Sequence, residues 1–265
     1  MNPIDQLFSR LRSQNRKAFI PFLPAGDPDL AFTRELIPAV ATAGGDLIEV
    51  GFPFSDPIAD GPVIQASYTR ALRNKLKLAD LFDTVKQASA APVWSTPMVG
   101  MASYSLIYKK EPDAFLTAAR AAGMSGVVVP DLPVEEAEGL AKLCHDRDFK
   151  LILLVTPTTD PKRMEQIVRA CSGFVYVVSV VGITGGQSAT TAIVEQVTTR
   201  LRGMTDLPLC VGFGVSTPAN VRELRPYCDG VIVGTALVRK LETGDREMAK
   251  ANVVAAVREL SAALN

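Results

Sequence analysis

Residues 126–155 read GVVVPDLPVEEAEGLAKLCHDRDFKLILLV. Gly126–Pro130 and Leu151–Val155 are short and apolar at nearly every position. A strand wetted on one face alternates apolar and polar residues, whereas an unbroken apolar run suits a parallel strand covered on both faces. Between the two runs, Val134–Asp146 has helical composition. The stretch is therefore a β-α-β unit.

The same alternation extends in both directions. Strand-like runs at Phe19–Leu23, Leu47–Gly51, Pro92–Met98, Phe174–Ser179, Leu209–Gly212 and Gly230–Val233 bring the number to eight. Helical segments at Leu30–Ala43, Asp113–Ala122, Pro161–Cys171 and Pro218–Leu224 separate them. Asp160–Pro161 and Thr217–Pro218 mark helix starts, because Asp and Thr cap free amides and proline fits the first turn. Eight βα units in 265 residues predict an α/β fold, the (β/α)8 TIM barrel, which takes roughly 250 residues. An open doubly wound sheet is the alternative. Ile4, Leu7, Phe8 and Leu11 form a stripe at helical spacing, predicting an extra N-terminal helix that plugs the barrel bottom. Ala236–Leu241 predicts a short extra helix after strand 8, ahead of a last helix over Arg246–Leu264. No linker, charge block or short-period repeat interrupts the chain, so residues 1–265 read as one domain.

Composition narrows the function. The 28 basic and 28 acidic residues cancel, which points away from nucleic acid or an anionic membrane as a partner. No run approaches the ~20 apolar residues of a membrane span, and MNPIDQLFSRLRSQNRK lacks the apolar core of a signal peptide. A cytoplasmic protein is expected, with Cys144, Cys171, Cys210 and Cys228 as reduced thiols. His145 is the lone histidine, so a histidine-rich metal site is excluded and no metal is expected. Acid–base chemistry here falls to carboxylates.

In such a barrel the chemistry sits at the C-terminal ends of the strands. There the chain reads IEVGFPFSDPIADGPVIQASYTRAL from Ile48. Glu49 lies inside strand 2, where burial without a partner is costly and would raise its pKa. It is a candidate general acid–base, or else a structural hydrogen-bonding residue. Asp60 ends a loop stiffened by Pro53, Pro57 and Pro62. Glycine-rich turns follow strands 6, 7 and 8, at Gly182–Gly186, Gly212–Gly214 and Gly234–Thr235. They suit a phosphate held by backbone amides.

The run EVGFPFSDPIADGPVIQ resembles the signature of the tryptophan synthase alpha chain family. PFLPAGDPD (21–29), VVPDLPVEE (128–136), YVVSVVGITG (176–185), GFGVSTP (212–218) and IVGTAL (232–237) extend the resemblance over essentially the whole chain. The resemblance implies a lyase for the retro-aldol cleavage of indole-3-glycerol phosphate to indole and glyceraldehyde 3-phosphate. It implies Glu49 as acid–base group and Asp60 as the carboxylate paired with the indole N–H. Phe22, Val128, Leu154, Tyr176 and Phe213 would surround the ring, and Gly185, Gly214, Gly234 and Thr235 would bind phosphate. Thr184, in a glycine-rich lid over Gly182–Thr190, would reach Asp60 on closure. It implies no cofactor in this chain, and a beta-chain partner carrying pyridoxal phosphate in an alpha2beta2 heterotetramer. The loop Pro53–Pro62, with Phe52, Phe54 and Ile58 exposed, would face that partner.

The chain departs from the family pattern at Val180, where an arginine is frequent, and in strand 3, where Ala102, Ser103 and Ser105 replace a tyrosine-asparagine stretch. Those departures leave open an alpha-like chain that mainly activates its partner, or a free-standing lyase that releases indole. A phosphosugar isomerase on the same barrel is a further alternative, against which the Glu49–Asp60 pair argues.

Overall fold

The structure, a computed structural model, describes residues 1–91, 94–179, 187–212 and 214–265, with backbone alone at 187–190. In chain order the elements are α1 (Pro3–Ser13), β1 (Ala18–Pro24), α2 (Leu30–Thr42), β2 (Ile48–Gly51), α3 (Pro62–Leu72), α4 (Leu78–Ala88), β3 (Met98–Met101), α5 (Tyr104–Lys110), α6 (Pro112–Ala121), β4 (Gly126–Val128) and α7 (Glu138–Asp146). Then follow β5 (Lys150–Ile152), β6 (Leu154–Val155), α8 (Pro161–Ala170), β7 (Val175–Val178), α9 (Gln187–Arg202), β8 (Leu209–Gly212), α10 (Pro218–Leu224), β9 (Gly230–Val233), α11 (Thr235–Val238) and α12 (Arg246–Leu264).

The nine strands among the described residues form one sheet in the order β5-β4-β3-β2-β1-β9-β8-β7-β6, and every pairing is parallel. Its two ends, β5 and β6, are halves of a single strand parted by Leu153. Val129 N–H donates to the Ile152 carbonyl and Tyr176 N–H to that of Leu153, at 3.2 Å each. The order thus returns on itself as a barrel whose fifth strand is bent at Leu153. The expected barrel is the observed one.

Side chains fill the interior in one cluster that includes Ile20, Val99, Val128, Ile152, Phe174, Tyr176, Cys210 and Ile232. The α1 stripe of Ile4, Leu7, Phe8 and Leu11 belongs to that cluster, with the Phe8 and Phe174 rings 6.0 Å apart. A helix with one apolar face loses least by laying it over the open bottom of the barrel, so the predicted plug is present. A larger cluster lies between the strands and the outer helices. Asp160 accepts from Arg163 N–H (3.0 Å) and Thr217 from Asn220 N–H (3.2 Å), so both predicted caps form. The short helix after the last strand is α11 with the 3₁₀ turn Arg239–Leu241.

One strand is not where its sequence suggested. Strand 3 was expected over Pro92–Met98, but β3 covers Met98–Met101. Pro97 has no N–H for a ladder, and pairing begins at its carbonyl, which accepts from Ile48 N–H at 3.0 Å. The apolar pair Val93–Trp94 mimicked a strand; Trp94 is half-buried against the outer cluster instead, and residues 92–93 lie outside the described residues. The predicted helix Val134–Asp146 divides into a 3₁₀ turn at Val134–Glu136 and α7.

Candidate active site

Glu49 sits in β2 in register with Phe22 of β1 and Val99 of β3. It is 1% exposed. Neither carboxylate oxygen has a hydrogen-bond partner. Burial pushes its carboxyl from the ordinary 4.5 up to about 8, and the nearby charge of Asp60 adds to the rise. A buried, unpaired carboxyl costs free energy that the fold does not recover, so such groups gather at sites of chemistry.

Asp60 closes the loop that leaves β2. Its N–H donates to the Pro57 carbonyl (3.1 Å), and its own carbonyl accepts from Gln65 Nε2 (2.8 Å). Partial burial and then the charge of Asp131 raise its carboxyl to about 6. Asp131 is itself fixed, accepting from Ser103 Oγ (2.6 Å) and Tyr104 N–H (2.8 Å) at the start of α5.

Gly61 and Pro62 turn the chain into α3, which presents Ile64 and Tyr68 one turn apart. Tyr68 is 2% exposed and its hydroxyl has no partner. Gly51 makes room for it. A Cβ on Gly51 would lie 2.4 Å from Phe22 Cζ and 2.5 Å from the Tyr68 hydroxyl. Across the barrel, a Cβ on Gly212 would lie 2.4 Å from the Tyr176 hydroxyl. Two glycines thus let two tyrosines point inward beside Glu49.

Of these groups, Glu49, Asp60, Ile64 and Tyr176 border a cleft of ≈ 430 Å³. Phe22, Ile64, Met101, Val215 and Ile232 give it an apolar lining, and Glu49, Asp60, Tyr176 and Thr235 its polar groups. Gly214 and Gly234 contribute backbone, and no lysine or arginine lines it among the described residues. Gly214 has φ +76°, a conformation that side chains resist. Gly234 and Thr235 begin α11, where the first amides have no partner inside the helix. Asp60 and Met101 also border an adjoining pocket of ≈ 320 Å³ that holds Phe52, Tyr68, Ser103 and Asp131.

Of the residues singled out in the sequence, Phe22, Glu49, Asp60, Tyr176, Gly214, Gly234 and Thr235 meet at this cleft. Val128 is buried within the barrel interior rather than on the cleft. Leu154 borders a neighbouring groove with Ala59, Asp131 and Thr156. Thr184, Gly185, Phe213 and Val180 lie outside the described residues, as do the side chains across the expected lid. Phe52 was expected to be exposed but is buried, its ring 5.4 Å from that of Phe82. Ile58 is 86% exposed. Ile64, Tyr68 and Met101 were missed. The i, i+4 spacing of Ile64 and Tyr68 just after Asp60 would have signalled a shared face. Met101 was hidden by the misplaced strand 3.

The four cysteines are buried and free. Burial pushes the thiols of Cys144, Cys171 and Cys228 up to about 12, which makes them poor nucleophiles. His145 is exposed beside Asp146. No cluster of ligating side chains suited to a metal occurs among the described residues, and no helix among them is long and apolar enough to cross a membrane.

Comparison with known proteins gives one answer. The family described as "Tryptophan synthase alpha chain" matches residues 8–265. A tryptophan synthase alpha chain of Rhodopirellula baltica is 50% identical over 243 residues, 91% of this chain and 87% of the relative. That of Rippkaea orientalis is 43% identical over 265 residues, 100% of this chain and 98% of the relative. Among solved structures, tryptophan synthase from M. tuberculosis in an aminoacrylate-bound form superposes with a TM-score of 0.87 at 32% identity, covering 100% of both chains. Tryptophan synthase subunit alpha from Legionella pneumophila gives 0.91 at 31% identity over 100% of this chain and 98% of that one.

Proposed function

The chain belongs to the tryptophan synthase alpha chain family, the lyases of tryptophan biosynthesis that cleave indole-3-glycerol phosphate to indole and glyceraldehyde 3-phosphate, and from that premise we propose that Glu49 and Asp60 divide the chemistry. Near pH 7, Glu49 with a pKa of about 8 holds a proton, whereas Asp60 at about 6 is ionised. Two carboxyls whose surroundings push them to opposite sides of the working pH take opposite roles.

Glu49 delivers its proton to indole C3, which leaves positive charge on the ring nitrogen. Asp60 pairs with that N–H as the charge develops. Glu49, now a carboxylate, takes the proton of the C3′ hydroxyl as the C3–C3′ bond breaks. The bond's electron pair returns to the ring, the C3′ carbon becomes an aldehyde, and Glu49 ends protonated as it began. Phe22 and Ile64 supply an apolar slot for the ring. Backbone amides at Gly214 and the start of α11 receive the phosphate together with Gly185, and Thr235 adds its hydroxyl.

The partner is a beta chain in an alpha2beta2 heterotetramer, and the pyridoxal phosphate is that partner's; this chain needs no cofactor for its own reaction. The observation that carries the assignment is Glu49, a buried carboxyl with both oxygens unpaired on a mostly apolar cleft. Glu49→Gln tests it. An amide cannot relay the proton, so turnover on indole-3-glycerol phosphate is expected to fall by about 10²–10⁴-fold with the fold intact. Activity within threefold of the parent would remove Glu49 from the mechanism.

A further inference from the structure

Tyr68 carries a second unexplained polar group. Its hydroxyl is buried and has no partner, as are both oxygens of Glu49. An unpaired buried hydroxyl costs about 1–3 kcal/mol, and phenylalanine would fill the same space without that cost. The hydroxyl's position is specific. Glu49 and Gly51 are two residues apart on β2, so their side chains project to the same face of the sheet. Gly51 has no side chain, and the Tyr68 hydroxyl sits where one would start, 2.5 Å from the site of the missing Cβ. It therefore stands beside β2 one residue pair beyond Glu49, and Tyr68 borders the pocket of ≈ 320 Å³ that adjoins the cleft at Asp60 and Met101. Ser67, the other buried hydroxyl without a partner, precedes it on α3, but borders neither the cleft nor the pocket beside Asp60.

We infer that Tyr68 is a further catalytic residue, whose phenol O–H donates a hydrogen bond to the substrate's C3′ oxygen while Glu49 withdraws that oxygen's proton. Donor and base on one oxygen make a working pair: as the proton leaves, the oxygen gains negative charge, and a donor already aimed at it lowers the barrel's barrier to cleavage. Tyr68 keeps its own proton throughout. Burial first, then the charges of Asp60 and Glu49, push its pKa well above the ordinary 10, so it remains a donor at any working pH. The inference rests on the lyase reading with Glu49 as base, and the test separates the two.

The test has a kinetic and a binding arm. Tyr68→Phe keeps the ring and removes the hydroxyl; kcat is expected to fall about 10- to 10²-fold, near the low end for one lost donor to a developing oxyanion. Binding is then measured by calorimetry in the Glu49→Gln protein, with and without Tyr68→Phe. The two ligands are indole-3-glycerol phosphate and indole-3-propanol phosphate, whose chain lacks the hydroxyls. Loss of the Tyr68 hydroxyl should weaken the first about three- to tenfold and the second less than twofold. Equal weakening of both ligands would mean that Tyr68 only shapes the pocket, and no weakening of either would mean that it touches neither; each overturns the inference. A parent chain that does not cleave overturns the lyase assignment itself, and a Glu49→Gln protein that cleaves within threefold of the parent overturns Glu49 as the base.

Discussion

Glu49 is held against its own stability. Its carboxyl is buried without partners and shifted from 4.5 to about 8, so the folded chain keeps a proton that the unfolded chain releases. Below about pH 4.5 the group is protonated in both states and does not affect the balance. As pH rises toward 8 the unfolded state gains by ionising, and folding stability declines by up to about 5 kcal/mol at roughly 1.4 kcal/mol per pH unit. Glu49→Gln has no such proton to lose. Its melting temperature should exceed the parent's by a margin that widens from pH 4.5 to 8 and then levels; a constant margin would mean that Glu49 ionises normally. The same two carboxyls shape activity. With Asp60 required ionised and Glu49 required protonated at the start, kcat/KM should be bell-shaped, with limbs near 6 and 8. Asp60→Asn should lower turnover more than ground-state binding and abolish the acidic limb, because its carboxylate is needed mainly for charge that appears in the transition state. A loss confined to KM would make Asp60 a binding residue.

Helix α3 sets the geometry of this site, and an ion pair outside the cleft holds it. Arg70 Nε and Nη2 donate to the two carboxylate oxygens of Asp27, at 3.0 and 2.6 Å, with Glu242 3.9 Å away. Asp27 is 2% exposed and lies just after β1, so the pair ties α3 to the neighbouring strand's loop. Breaking it by Arg70→Met strands a buried charge, which costs about 3–5 kcal/mol. Urea titration should show that loss, and Asp27→Asn combined with Arg70→Met should recover part of it. If the double variant were as unstable as the sum of the singles, the pair would not be coupled. Arg70 also explains what was legible in the sequence and what was not. The strands, the plug helix and the caps rest on local patterns, periods of two or 3.6 and side chains near their own amides, and they appear as read apart from strand 3. There a local pattern misled, because Trp94 is apolar for packing outside the barrel and Pro97 has no N–H for the ladder. Glu49 and Asp60 stood out because an acidic residue in an apolar strand and an aspartate among prolines are locally odd. Tyr68 and Arg70 look ordinary on a helix; their importance comes from Gly51 and Asp27, which only the folded chain brings to them.

The barrel as a body gathers its chemistry at one end and closes the other with α1, so a partner that receives the product would share the open face with the ligand. Indole is small and apolar, and an exit guarded by a second protein would keep it from escaping. The open face carries apolar surface to match: Ile58 is 86% exposed on the loop leading to Asp60, Phe54 is half-buried beside it, and Tyr108 projects from α5. Exposed apolar side chains grouped near a site suit contact with another protein. The loop joins that surface to the chemistry, since Ile58 N–H donates to the Asp56 carbonyl (2.9 Å) and Asp60 N–H to that of Pro57 (3.1 Å). A partner that fixes Phe54 and Ile58 therefore fixes the backbone of Asp60 as well. Docking a beta chain should raise the cleavage rate by about 5- to 150-fold, a coupling of roughly 1–3 kcal/mol. Phe54→Asp should weaken both complex formation, measured by calorimetry, and the stimulation of cleavage. Ser103 bears on the same site, because it holds Asp131, whose charge adds to the burial that raises the pKa of Asp60. A parent chain that neither binds nor responds to a beta chain, yet cleaves its substrate, would make it a free-standing lyase that releases indole.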